Sequence, residues 1–214
     1  MALFKQLRDI LSDLFNGLTL VQPLFFNEIP AIRFELQPKI FDTGNDEYML
    51  EVAKRINRIS SLVISSDDQI FLYYNFNTWR KRKIRKWGYL FKQFRNNTKL
   101  EYQFRKRKHP TYNNGFHKAE GACQLIVKDK ACNINFENIF TSIANNDFFI
   151  KPRIEGELYI VNETKKCILF MYDDRGCDLV SYDILFLQNI YTEFSQFVLE
   201  ANREEIKRRL LINK

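Results

Sequence analysis

Three short apolar segments near the end of the chain, "GELYIVNE", "CILFMYDD" and "CDLVSYD", are separated by gaps too short for a crossover. Residues 162–166 and 173–176 leave room only for tight turns, so the three segments form an antiparallel meander. Parallel neighbours would need a connection of about a dozen residues or more. A helical pattern follows from about Ile184, carrying Ile190, Phe194, Phe197/Val198 and Ala201. Asn202 with Glu205 reads as a capping box that restarts this helix as "REEIKRRLLI".

Upstream, the apolar period switches repeatedly between helix and strand. Leu3, Leu7, Ile10 and Leu14 mark an amphipathic helix over 3–15, stopped by Asn16-Gly17. "AIRFELQ" alternates Ile32, Phe34 and Leu36 inward against Arg33 and Glu35 outward, the pattern of a half-buried strand. Met49, Val52, Ile56, Ile59 and Leu62/Val63 give a second helix capped near Asn45 or Asp46, and "QIFLYYNF" gives an aromatic strand. Ile84, Trp87, Phe91 and Phe94 then space a basic helix, and "LEYQF" a further strand. Residues 105–121 read as a loop, "CQLIVKD" as a strand and "NFENIFTSIANNDF" as a short helix. The order predicts an α+β fold with a mixed or mainly antiparallel sheet, flanking helices, and a C-terminal three-strand meander followed by a helix. Length is consistent with a single domain over 1–214, with 77–121 inserted as a basic helix and loop.

Charge is concentrated in that insertion. Between Arg80 and Lys108 there are 13 Lys and Arg against one acid, Glu101, a net +12. The remaining 20 basic and 25 acidic residues leave the rest of the chain at −5. A mildly acidic body with one strongly basic band steers an anionic partner. That partner is an acidic protein surface or a nucleic acid, and charge alone does not choose. Arg80, Lys81, Arg82, Lys83, Arg85, Lys86, Lys92 and Arg95 are the candidate contacts. Base stacking would need Trp87, Phe91 and Phe94 exposed, whereas their spacing suits a seam docked on the sheet.

Catalytic constellations are sparse. Asp173, Asp174 and Asp178 in "MYDDRGCD" could gather a metal, with Arg175 as an anion fork. The same string is good hairpin chemistry, with Gly176 at positive φ and an aspartate bonding turn amides, and that reading is preferred. Asp173, Asp174 and Arg175 then become contact candidates at the turn. Cys123 lies six residues beyond His117, a conceivable nucleophilic pair that nothing else in the sequence supports. The four cysteines show no zinc-ligand spacing, and no nucleotide-binding or hydrolase motif occurs. No cofactor is expected. The amino-terminal stretch is broken by Lys5, Arg8, Asp9 and Asp13, and no apolar run reaches the length of a membrane span. A cytoplasmic address with reduced thiols follows as the expectation, and oligomeric state is unreadable.

Residues 146–206, with the "KPRI-x-G-x-L-Y" strand opening, the "MYDDRG-x-D" hairpin and the aromatic helix after it, resemble a Bacillota family of small cytosolic proteins, the domain of unknown function DUF3885. "IRFEL" near the amino terminus, followed by a helix and an aromatic strand, extends the likeness over most of the chain outside 77–121. The resemblance transfers no residue roles. By analogy, small α+β proteins of this kind look like immunity partners of secreted toxins. The expectation is therefore a non-enzymatic immunity-type inhibitor that binds an acidic toxin domain through the basic helix face, with an RNA- or DNA-binding module as the alternative.

Overall fold

A computed structural model describes residues 2–78, 88–95, 99–107 and 121–212. Helix α1 (Leu3–Phe15) buries Leu3, Leu7 and Phe15. It ends where Asn16 turns left-handed (φ 50°) and the Gly17 N–H closes on the Leu11 carbonyl at 2.9 Å. Helix α2 (Asp46–Val63) starts on an Asn45 side chain that accepts from the Tyr48 N–H at 2.7 Å, with Asp46 and Glu47 in its first turn. Both starts and stops agree with the sequence reading.

The strands are β1 (Ala31–Glu35), β2 (Gln69–Thr78), β3 (Glu101–Arg107), β4 (Gly121–Lys130), β5 (Glu157–Asn162), β6 (Cys167–Met171) and β7 (Gly176–Ser181). They form one 7-stranded sheet in the order β1-β7-β6-β5-β2-β4-β3, and every neighbouring pair is antiparallel. The three-strand meander β5-β6-β7 stands as the sequence predicts. Two strands from far upstream, β1 and β2, close on its two sides.

Register places a continuous row of side chains on one face: Arg33, Asp178, Phe170, Tyr159, Tyr73, Ile126 and Gln103. The opposite face carries Ile32, Leu179, Leu169, Ile160, Leu72, Val127 and Tyr102. α2 covers that second face, and Asn162 anchors its end by donating to the Val63 carbonyl at 3.0 Å. Helix α3 (Phe136–Ala144) packs beside α2, and helix α4 (Ile184–Glu193) packs on β7 and β1. α1 and the segment before β1 cover the first face instead: the Phe4 N–H meets Gln103 Oε1 at 3.2 Å and the Phe25 N–H meets Asp178 Oδ2 at 3.0 Å. Coverage on both sides explains why every residue of β6 and β7 is buried.

Four expectations are corrected. The helical stripe through Phe91 and Phe94 does not continue: Leu90–Gln93 is a single 3-10 turn, and Phe94 is extended in a bridge to Ile134. Residues 79–87, the rest of that predicted helix, lie outside the described residues, as does 108–120 of the predicted loop; 105–107 belong to β3. The last helix stops at Glu193 because the chain turns to cover the edge of β1. Val198 bridges Phe34 and the Leu199 N–H meets the Arg33 carbonyl at 2.9 Å before helix α5 (Arg203–Arg209) begins. The capping box does not form, since the Asn202 side chain makes no cap bond and Glu205 pairs with Arg209.

Candidate functional site

The β6–β7 turn brings Asp173, Asp174 and Arg175 together with Tyr48 of α2 and Asp147 of the loop after α3. Asp173 Oδ1 accepts from the Arg175 N–H at 2.8 Å, and its Oδ2 accepts from Arg175 Nε at 2.8 Å and from Nη2. Asp173 and Asp174 are buried, while the Arg175 side chain is 64% exposed. Asp174 accepts from the hydroxyl of Tyr48, whose ring lies edge-on to Phe148 at 6.0 Å. Asp147, in the loop after α3, brings a third carboxylate: one oxygen from each of Asp147, Asp173 and Asp174 lies within 4.8 Å of the others.

The acid trio is thus not the one the sequence suggests. Alternation along β7 carries Asp178 to the face covered by Phe25, away from the turn. Two of the three clustered acids already have donors, and Arg175 supplies a cation beside Asp173. Gly176 is also misread by the sequence: its φ is not positive. Its missing side chain matters for space, because a Cβ there would lie 2.5 Å from the Phe34 carbonyl oxygen and would collide with the Tyr172 hydroxyl. Gly176→Ala is expected to lower unfolding free energy by about 2–3 kcal/mol, read by urea denaturation, since strand backbone must move to admit the methyl.

Burial raises the Asp174 carboxyl above its ordinary value, against the stabilising bond from Tyr48. The Tyr48 hydroxyl is itself pushed upward by burial and by Asp174. A raised folded value means the folded state holds the Asp174 proton more tightly than the unfolded chain. Its contribution to stability is therefore fully present below the unfolded value, about 3.8, and is lost as pH rises through the folded one. Asp174→Asn keeps an acceptor for Tyr48 and removes this titration. The variant is expected to show a flatter stability–pH profile above pH 4 than the parent, measured by thermal melts.

The Arg33–Asp178 pair went unrecognised in the sequence. Arg33 Nε and Nη2 donate to Asp178 Oδ1 and Oδ2 at 2.7 and 2.9 Å. The guanidinium lies 5.0, 4.9 and 5.5 Å from the ring centres of Phe25, Phe26 and Tyr172. Arg33, expected to point to solvent, is roofed by aromatic rings and keeps 12% side-chain exposure. The available signal was an arginine and an aspartate each set inside an apolar strand; only the register shows that they meet.

Of the basic band, Lys92, Arg95, Lys99, Arg105 and Lys106 are described, and all are exposed. None forms an ion pair among the described residues. Phe91 and Phe94, next to Lys92 and Arg95 in the chain, are each 3% exposed, with Phe91 against Tyr102 and Phe104 at 5.4 and 5.9 Å. Lys92 and Arg95 line a cleft of about 420 Å³ with Ile134, Asn135 and Glu137. Arg80, Lys81, Arg82, Lys83, Arg85, Lys86 and Trp87 lie outside the described residues, as does His117. The thiols of Cys167 and Cys177 are buried, and burial pushes Cys167 up to about 12 and Cys177 well above the usual range. Neither is a ready nucleophile.

Among the described residues no helix is long and apolar enough to cross a membrane. No solved structure matches the chain. "Uncharacterized protein YnaE" of Bacillus subtilis (strain 168) is 25% identical over 207 residues, covering 89% of this chain and 95% of that protein. The model of the family described as domain of unknown function (DUF3885) matches residues 7–202, which takes in the row of side chains across the sheet, the crowded turn and the cationic surface, and the chain belongs to that family.

Proposed function

We propose that this protein is a non-enzymatic interaction module, an immunity-type inhibitor that holds an acidic toxin domain against its cationic surface. Lys92, Arg95, Lys99, Arg105 and Lys106 supply the described part of that surface, and the exposed Arg175 guanidinium a second contact. The observation that carries this reading is the burial of Phe91 and Phe94 beside the exposed Lys92 and Arg95. Two aromatics that a single-strand grip would use for stacking are committed to the core, while the charge stays outside. Lys92, Arg95, Lys99, Arg105 and Lys106, which form no ion pair among the described residues, speed encounter with an opposite surface and reject cationic competitors.

A nucleic-acid module using the same cations is the competing reading. Fluorescence anisotropy with labelled single-stranded RNA and duplex DNA separates the two. The interaction reading predicts only non-specific binding at physiological salt, with Kd no tighter than about 10⁻⁶ M. A Kd of about 10⁻⁸ M for one sequence at that salt contradicts it.

A further inference from the structure

The segment that covers the edge of β1 also closes in one side of α2. Glu51, Arg55 and Arg58 fall at i, i+4 and i+7, so they form one stripe along that helix. Phe197 lies against the stripe, its ring centre 5.1 Å from the Arg55 guanidinium carbon and 5.6 Å from that of Arg58. The ring stacks on Phe194 at 6.1 Å, and the buried Phe194 meets Phe34 of β1 edge-on. Both guanidinium groups therefore rest on an aromatic ring anchored to the core.

The two arginines differ in what they hold. Arg55 Nε donates to Glu51 Oε1 at 3.1 Å, and its Nη1 donates to the Gln37 carbonyl at 3.0 Å. Arg58 is exposed, lies 6.0 Å from the Phe194 ring as well, and makes neither an ion pair nor a side-chain hydrogen bond among the described residues. A guanidinium steadied on two rings with its donors unengaged is pre-organised for a carboxylate, which it meets through two parallel N–H bonds.

Arg58 lines a cleft of about 480 Å³ with Leu50, Ala53, Lys54, Glu137 and Phe197. Charge in the cleft decides which anion fits. Lys54, Arg55 and Arg58 stand against Glu51 and Glu137, three cations to two acids, a surplus of one positive charge. A carboxylate balances that surplus, whereas a phosphate group brings about two negative charges beside two glutamates. Leu50, 56% exposed, and Phe197 add apolar surface that a bare ion leaves wet and a polypeptide side chain covers. The geometry points to this cleft as a receptor for an aspartate or glutamate of the partner protein, its carboxylate forked on Arg58 and an adjoining apolar side chain against Leu50 and Phe197. Glu137 also lines the cleft of Lys92 and Arg95, so the receptor adjoins the cationic surface described above. This rests on the interaction reading and adds a specific contact to it.

The test titrates the whole chain with N-acetyl-Leu-Glu-Leu-amide and with the same peptide carrying glutamine in place of glutamate. Arginine Nε–H and leucine methyl signals are followed by NMR. Saturable shifts at Arg58 and Leu50 are expected with the glutamate peptide, and binding about tenfold weaker with the glutamine one. Arg58→Gln is expected to weaken the glutamate peptide about as much. Arg8→Gln removes the same unit of charge from exposed α1, on the opposite side of the sheet, and is expected to change binding less than about twofold. Equal losses from the two substitutions show attraction to net charge alone and overturn the site. Tighter binding of inorganic phosphate at Arg58 overturns the carboxylate assignment. A dimer in sedimentation that Arg58→Gln dissolves gives the cleft to a second copy and also overturns it. The absence of any saturable shift at Arg58 overturns it too, and the interaction reading is then judged separately, by whether a protein partner is captured after nuclease treatment.

Discussion

Asp178→Ala lowers the unfolding free energy by about 3–5 kcal/mol, the loss expected when one partner of a buried ion pair is removed. The carboxylate accepts both arms of Arg33 and the Phe25 N–H, and it is fully buried. Without it a guanidinium with 12% exposure stays among three aromatic rings with no counter-charge. With a urea slope of about 1–3 kcal/mol/M, the midpoint moves by about 1 M or more. Arg33→Met combined with Asp178→Leu removes both charges and is expected to recover most of the loss, because Phe25, Phe26 and Tyr172 already make an apolar socket. The Phe25 N–H remains without an acceptor, which leaves a deficit of about 1–3 kcal/mol. A loss below about 1 kcal/mol in the single variant would show that the pair is not what ties the segment before β1 to the sheet.

The second large effect is on association. Lys92→Glu, Arg95→Glu, Arg105→Glu and Lys106→Glu together change the charge of the described cationic surface by about eight units while touching only exposed side chains. Stability should change little, since surface substitutions away from buried partners stay within about 0.5 kcal/mol each. The rate of association with an acidic partner should fall by about ten- to a thousandfold, and its salt dependence should flatten, as read by stopped-flow fluorescence. Unequal effects of single reversals would map which of the two regions, the cleft at Lys92 and Arg95 or the edge at Arg105 and Lys106, meets the partner first.

Local chemistry made most of the fold legible. The Asn45 cap, the Asn16-Gly17 stop and the short gaps of the meander each act within a few residues, and each is where the sequence places it. What escaped depends on partners distant in the chain. Arg33 reads as outward from alternation alone, and only pairing with β7, 145 residues away, makes it internal. The last helix keeps its apolar period past Glu193, yet closing the edge of β1 outweighs that propensity. Phe94 obeys a helical spacing and is drawn into a bridge with Ile134. The candidate site shows the same division. Hydrogen bonding of Asp173 within its own turn was readable, whereas the approach of Tyr48 and Asp147 to Asp174 was not, because α2 and the loop after α3 carry no local mark of that meeting.

The central claim, that the cationic surface holds a protein, is tested most directly by a tagged capture from native cells split into nuclease-treated and untreated halves, read by mass spectrometry and absorbance at 260 nm. The account predicts one stoichiometric acidic protein in both halves, lost when Lys92, Arg95, Arg105 and Lys106 are reversed. Nucleic acid in the untreated half with no protein partner in the treated half would contradict it and make the same cations a phosphate grip.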